Sequence, residues 1–236
     1  MSIAGTWRAC ATLLLCLLLL AGCASNPERP ATHLVKRGDT LYSIAFRHKV
    51  DYKDLARWNR IGRDYVIHAG QTLRLYPPGS TASPKGGTVA KAKPTAKAAG
   101  KSTSPRRPVI PSGPPVQWRW PVSGGTATLT SRPNGGYGLM IAGRSNEDIQ
   151  AAGSGRVVYT GTGLLGYGQL IIIKHNETYL SAYGHLQTVA IKEGDAVSAG
   201  QRIATMGNGP QGAPLLYFEI RINGAPGNPL SLLPQR

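Results

Sequence analysis

Residues 213–220 read APLLYFEI, a short apolar run with an aromatic pair, as a buried strand would have. Yet the run carries a carboxylate, Glu219, and it follows the Gly/Pro-rich approach GNGPQGAP. A carboxylate on a core strand raises metal chemistry. Hydrolytic zinc takes imidazole nitrogen and carboxylate oxygen, and keeps one position open for the water that becomes the nucleophile. From Trp118 onward the chain has two histidines, His175 and His185, with Glu177 and Glu219 as nearby acids. The thioether of Met140 suits soft Cu(I) rather than a hydrolytic zinc.

These residues need elements to hold them. RVVYT, QLIIIK, ETYLSAY, RIATM and LLYFEIRI read as strands, and GTGLLGYG, HN, KEGD and GNGPQGAP read as the turns between them. Helical periodicity is absent there, so residues 118–236 are expected to form an all-β domain with a core of its own. The formal glycosylation triplet Asn176-Glu177-Thr178 reads as a hairpin turn, and His175 as a polar strand end.

Residues 32–76 have a different texture. HLVKR reads as a strand and Gly38-Asp39 as a turn, and Asp39 or Thr40 caps a helix carrying Leu41, Ile44 and Ala45 on one face. Asp51 starts a second helix, with Asp54 three residues on, close to a capping box. Gln71–Leu75 returns as a strand, so the order is βααβ. Between the two modules, residues 77–117 hold nine prolines and seven cations (Lys85, Lys91, Lys93, Lys97, Lys101, Arg106 and Arg107) without an acidic neighbour. Nothing there offsets the entropy of ordering, so the segment is expected to be a disordered linker. At about 3.1 Å per residue it reaches on the order of 120 Å.

The N-terminus carries Arg8 and then an apolar run from Ala11 to Ala21, short for a membrane span, and reads as an export signal. Leu20-Ala21-Gly22-Cys23 resembles the bacterial lipobox. That resemblance implies a signal peptide over 1–22 and a lipidated Cys23 opening a short tether to residue 31. Cys10 and Cys16 would be lost with the signal. Ala24, rather than Asp, after the Cys implies an outer-membrane anchor facing the periplasm. The net charge of +16 then calls for anionic envelope material and not for nucleic acid.

GDTLYSIA, Asn59 and AGQTLRL resemble the LysM module along its whole length. The resemblance implies peptidoglycan binding, with Gly38, Asp39, Thr40, Asn59 and Gly70 at the glycan. Residues 118–234 resemble the LytM domain, the lysostaphin-like metallopeptidase fold, through AAGSGRVVYTG, GYGQLIIIKH, YLSAYGHL, EGDAVSAGQRIATMG and LLYFEI in order. Active members hold zinc through a His-x-x-x-Asp segment and the last His of a His-x-His strand followed by Phe-Glu. A further His follows Tyr-x. On that pattern Gly136 stands at the first His, Met140 at the Asp, Leu215 and Tyr217 at the paired histidines, and His185 alone keeps its place. The resemblance therefore implies no catalysis, no metal and no other cofactor. It leaves an open cleft flanked by Tyr137, Tyr167, Tyr183 and Tyr217, with Met140, His185 and Leu215 also in the groove. Tyr217 either rims this cleft for a peptide or fills the space of the metal.

The whole order is multidomain: lipobox, βααβ LysM module, Pro/Lys-rich linker, degenerate all-β LytM domain. It resembles the NlpD-type murein hydrolase activators. That implies an activator of a periplasmic N-acetylmuramoyl-L-alanine amidase in septal splitting and daughter-cell separation. An endopeptidase with an atypical metal site and a passive membrane-to-wall tether are the alternatives. The linker generates a test. Changing its seven cations to Gln in the full chain is expected to remove a salt-sensitive part of sacculus binding and leave the part due to LysM. Equal sedimentation of both chains with sacculi at low salt would refute the linker's role.

Overall fold

The computed structural model describes residues 30–78, 115–131 and 136–236. The export segment, Cys23 and most of the predicted linker lie outside the described residues.

The first module has the predicted βααβ order: β1 (Thr32–Leu34), α1 (Leu41–His48), α2 (Tyr52–Trp58) and β2 (Thr72–Arg74). β1 and β2 pair antiparallel with His33 opposite Leu73. Of the two candidate caps for α1, Thr40 serves. Its Oγ1 accepts the Ser43 N–H at 3.1 Å, and its own N–H donates to Ser43 Oγ at 2.9 Å, a reciprocal capping box. Asp39 holds the preceding turn instead, accepting the Lys36 N–H at 3.0 Å. Asp51 caps α2 by accepting the Lys53 N–H at 2.7 Å. No capping box forms with Asp54, which pairs with Arg57 on the exposed face at 2.7 Å. Leu41, Ile44, Leu55 and Leu73 close the small core.

The second module is all-β, as the sequence predicts. Its strands are β3 (Ala127–Ser131), β4 (Tyr137–Ala142), β5 (Asp148–Gln150), β6 (Gly155–Gly161), β7 (Gln169–Lys174), β8 (Tyr179–Val189), β9 (Ala196–Val197), β10 (Arg202–Met206), β11 (Leu215–Ile222) and β12 (Ala225–Pro226). The main sheet runs β3-β4-β11-β8-β7-β6-β9, with β10 joining β8 to β5 and β12 extending β11. The turn at Asn176 is the expected hairpin. Its Oδ1 accepts the Thr178 and Tyr179 N–H groups at 2.8 and 2.9 Å.

Strand alternation sorts side chains to two faces. Ile171, Ile173, Tyr183, Leu216, Phe218 and Ile220 fill the inner core. Leu170, Ile172, Leu180, Ala182 and Tyr217 point to the outer face and share a second core with the LysM module. Both modules lie within one compact unit, Ala31–Arg236. Tyr183, expected at the cleft rim, lies on the inner face, where its hydroxyl accepts the Ala152 N–H at 2.8 Å. A one-residue difference along a strand decides the face.

Asn59 ties α2 to β2. Its Nδ2 donates to the Leu55 and Arg74 carbonyls, both at 2.8 Å, and its Oδ1 accepts the Arg74 N–H at 2.6 Å. Asn59→Ala is expected to cost about 1 kcal/mol, a roughly five-fold loss of hydrogen-exchange protection across residues 32–76. Parental protection at Leu55 and Arg74 in that variant would show that the tie is not structural.

Candidate functional site

Strand β11 sends Tyr217, Glu219 and Arg221 to one face at period two, opposite the core side chains Leu216, Phe218 and Ile220. The Tyr217 hydroxyl donates to Glu219 Oε2. Glu219 Oε1 accepts from Arg221 Nε at 2.5 Å, and both side chains are essentially without solvent exposure. Arg221 Nη1 donates to the Phe46 carbonyl of α1 at 3.0 Å, and the guanidinium carbon lies 3.5 Å from the centroid of the Phe46 ring. Arg221 Nη2 is buried with no hydrogen-bond partner among the described residues. The carboxylate in APLLYFEI is therefore the centre of a buried chain, Tyr217–Glu219–Arg221, that ends on the LysM module.

Met140 stands opposite Tyr217 and Ala142 opposite Leu215 across β4 and β11. The Tyr217 ring lies over Gly138, where an added Cβ would fall 2.7 Å from both Cε2 and the hydroxyl. Gly136 has φ +95°, and a Cβ there would meet Pro226 Cβ at 2.6 Å. An imidazole at 136 therefore requires a left-handed backbone and displacement of Pro226. His185 sits in the left-handed region at φ +59°, where β8 leaves β11 and takes up β10. Its ring centroid is 6.5 Å from that of Tyr217, and burial lowers its pKa. Among the described residues, no three His, Cys, Asp or Glu side chains gather as a metal-holding group.

The cleft expected to be open is covered. Phe46 packs edge-on against Tyr167 at 5.3 Å, and Tyr167 against Tyr217 at 5.3 Å. Tyr167, Tyr217 and His185 are buried, Met140 and Leu215 are half-buried, and Tyr137 is exposed. Neither Phe46 nor Arg221 was singled out from the sequence. For Arg221 a signal existed, since it shares the period-two face of Tyr217 and Glu219. For Phe46 none existed, because its partner is 175 residues away.

The LysM positions divide. Asp39 and Thr40 line a cleft of about 270 Å³ with Tyr42, Tyr65, Val66 and Ile67, walled on the other side by Val157, Val158 and Glu193. Gly38 and Asp39 also line a neighbouring cleft of about 800 Å³. Gly38 and Gly70 have φ +84° and +89°, so their turns select glycine. Asn59 faces a separate hollow beside Trp58 and Arg74.

This is a LysM module packed on a β domain of metallopeptidase type, and comparison with known proteins agrees. Residues 33–75 match the LysM domain and residues 134–229 match Peptidase family M23. The chain is 41% identical to the lipoprotein NlpD/LppB homolog of Pseudomonas aeruginosa, covering 92% of this chain and 81% of that protein. It is 39% identical to the lipoprotein YgeR of Escherichia coli K12, covering 92% and 89%. Identity to the murein hydrolase activator NlpD of Salmonella dublin is 36%, covering 87% and 69%. The chain belongs to the NlpD family of lipoproteins.

His175, considered as a ligand, is instead bonded on both sides. Its Nδ1 donates to the Ser154 carbonyl at 2.8 Å, so Nε2, 2.7 Å from Ser181 Oγ, accepts. Burial lowers its pKa from 6.5 to about 4. The unfolded chain takes this proton near pH 6.5 and the folded chain near pH 4. The contribution is whole above pH 6.5, falls between 6.5 and 4, and levels off below. It amounts to up to about 3 kcal/mol. Urea unfolding of the parent and of His175→Gln across this range is expected to diverge in slope, the variant losing less stability as pH falls. Parallel curves would contradict a neutral, half-buried His175.

Proposed function

We propose that this chain is a non-catalytic, peptidoglycan-binding outer-membrane lipoprotein. It switches on a periplasmic zinc-dependent N-acetylmuramoyl-L-alanine amidase, and so promotes septal splitting and daughter-cell separation. The observation that carries the reading is the side-chain set on β4 and β11. Tyr217 fills the face of β11 over Gly138 and is bonded to Glu219, while Gly136 abuts Pro226. On the family pattern Gly136, Met140, Leu215 and Tyr217 take the ligand positions of an active relative, and none supplies an imidazole or a carboxylate. The LysM match supports wall binding. The names of the relatives support lipid anchoring, through Cys23, and activation of a murein hydrolase.

On this reading the groove holds a regulatory segment of the amidase and draws an inhibitory helix from its active site. It succeeds to the extent that it binds the open amidase better than the closed one. Met140, Leu215 and Tyr137 are its accessible parts, with Tyr167, His185 and Tyr217 behind them.

The full chain alone is expected to release no fragments from sacculi, with or without added zinc, and to stimulate a purified amidase. Leu215→Asp places a carboxylate on the accessible apolar part. It is expected to raise the concentration for half-maximal stimulation roughly ten-fold, about 1.4 kcal/mol, with sacculus binding unchanged. Tyr137→Ala is expected to act in the same direction. If both variants stimulate at parental concentrations, the groove is not the contact surface. If no form stimulates, the tether reading replaces the activator. Zinc-dependent release by the chain alone would instead establish a peptidase.

A further inference from the structure

The packing that buries Tyr167 and Tyr217 also closes in the LysM loops. On one side, Phe46 of α1 lies against Tyr167 and under the Arg221 guanidinium. Around it, Arg47 Nη2 donates to the Gly163 carbonyl at 2.9 Å, Tyr52 Oη to Glu177 Oε2 at 2.9 Å, and Lys53 Nζ to the Glu177 carbonyl at 2.8 Å. Gly224 is pressed so close to α2's start that a Cβ would fall 2.4 Å from Asp51 Cα. On the other side, the loops bearing Asp39, Thr40 and Tyr65–Ile67 face Val157, Val158 and Glu193 across only about 270 Å³. That is below the roughly 300–1,000 Å³ of ordinary ligand pockets. Beyond Asp39 the same loop borders the cleft of about 800 Å³, whose far wall is again the β domain, at residues 159–165.

We infer that the LysM module is a gate on the groove: docked, it covers Tyr167 and Tyr217 and has the space between its own glycan loops walled by Val157, Val158 and Glu193, so that binding a glycan strand and exposing the groove are one linked equilibrium. This deepens the proposed function, on which it rests, by naming what regulates the groove. The centre of the interface is built to open. Glu219 and Arg221 are charged groups kept from water, and Arg221 Nη2 has no partner there. Solvent returning on undocking stabilises both, which narrows the margin that the apolar contacts give to the closed form. A ligand that binds only the open form shifts the population toward it, and by linkage anything that opens the gate raises affinity for that ligand by the same factor.

The experiment uses the full chain with its native cysteines changed to Ser and spin labels on Arg57→Cys and Arg202→Cys, both exposed. Pulsed dipolar spectroscopy is expected to show one narrow distance that broadens as chitohexaose is added. Phe46→Asp is expected to broaden it without ligand and to tighten chitohexaose binding about ten-fold by calorimetry. Lys53→Glu with Arg47→Glu attacks the rim from the surface and is expected to act likewise, which covers misfolding of the first variant. A narrow distance unmoved by saturating chitohexaose overturns the gate, as does a broad distance in the unliganded parent. Unchanged glycan affinity in the opened variants also overturns it. So does a distance that vanishes on dilution with unlabelled chain, since the cover then comes from a second copy. If distances and affinities behave as expected but neither the parent nor the opened variants stimulate the amidase, the activator reading fails and the gate stands; opened variants that stimulate no better than a stimulating parent overturn the gate's control of the groove.

Discussion

Strands β7, β8 and β11 are buried on both faces, so both must be covered. One face is covered by the β domain's own core. The other presents Leu170, Ile172, Leu180, Ala182 and Tyr217 in a single patch, and the LysM module covers it with Phe46 and its neighbours. Burying one such aliphatic or aromatic side chain contributes roughly 1.5–3 kcal/mol. Several together outweigh the loss of rotamer freedom at a module interface, which explains why two units of separate sequence character share a core.

Polar chemistry at the centre of that interface works the other way. An ion pair taken from water costs several kcal/mol per ion before its own attraction is counted, and good hydrogen bonds are needed to recover it. Glu219 finds them on both oxygens, from Tyr217 and Arg221. Arg221 finds them from Nε and Nη1 but not from Nη2. The interface is therefore weaker than its apolar area suggests, a property suited to a contact that forms and parts.

The outer face of β11 is a packing surface. Tyr217 occupies it as a ring over Gly138. His185 keeps a left-handed backbone at the bend of β8, a conformation uncommon outside glycine and more often met in His, Asn and Asp. Its main chain receives as much of the structure as its ring does. The His185 N–H donates to the Tyr167 carbonyl at 2.7 Å, and its carbonyl accepts the Gly207 N–H at 2.9 Å. A histidine at that place serves the corner of the sheet whether or not a metal is near.

Local physics made much of this legible in the sequence. Thr40 and Asp51 mark helix starts because caps act within three residues, and Asn176 marks a hairpin for the same reason. QLIIIK and LLYFEIRI read as strands from their branched and aromatic content. The LysM and peptidase modules are readable from GDTLYSIA, AGQTLRL and the ordered runs after Trp118. The short strands β3, β5, β9 and β12 were not legible, because two to five residues owe their extension to the neighbours they pair with. Nor was the sidedness of Tyr183, or the use of Asn59 as a tie between α2 and β2. Above all, a run such as QLIIIK shows that both faces of a strand are dry without saying what dries them. Only the tertiary structure decided that the cover is the LysM module, because Phe46 and Arg221 meet through a contact that no local spacing encodes.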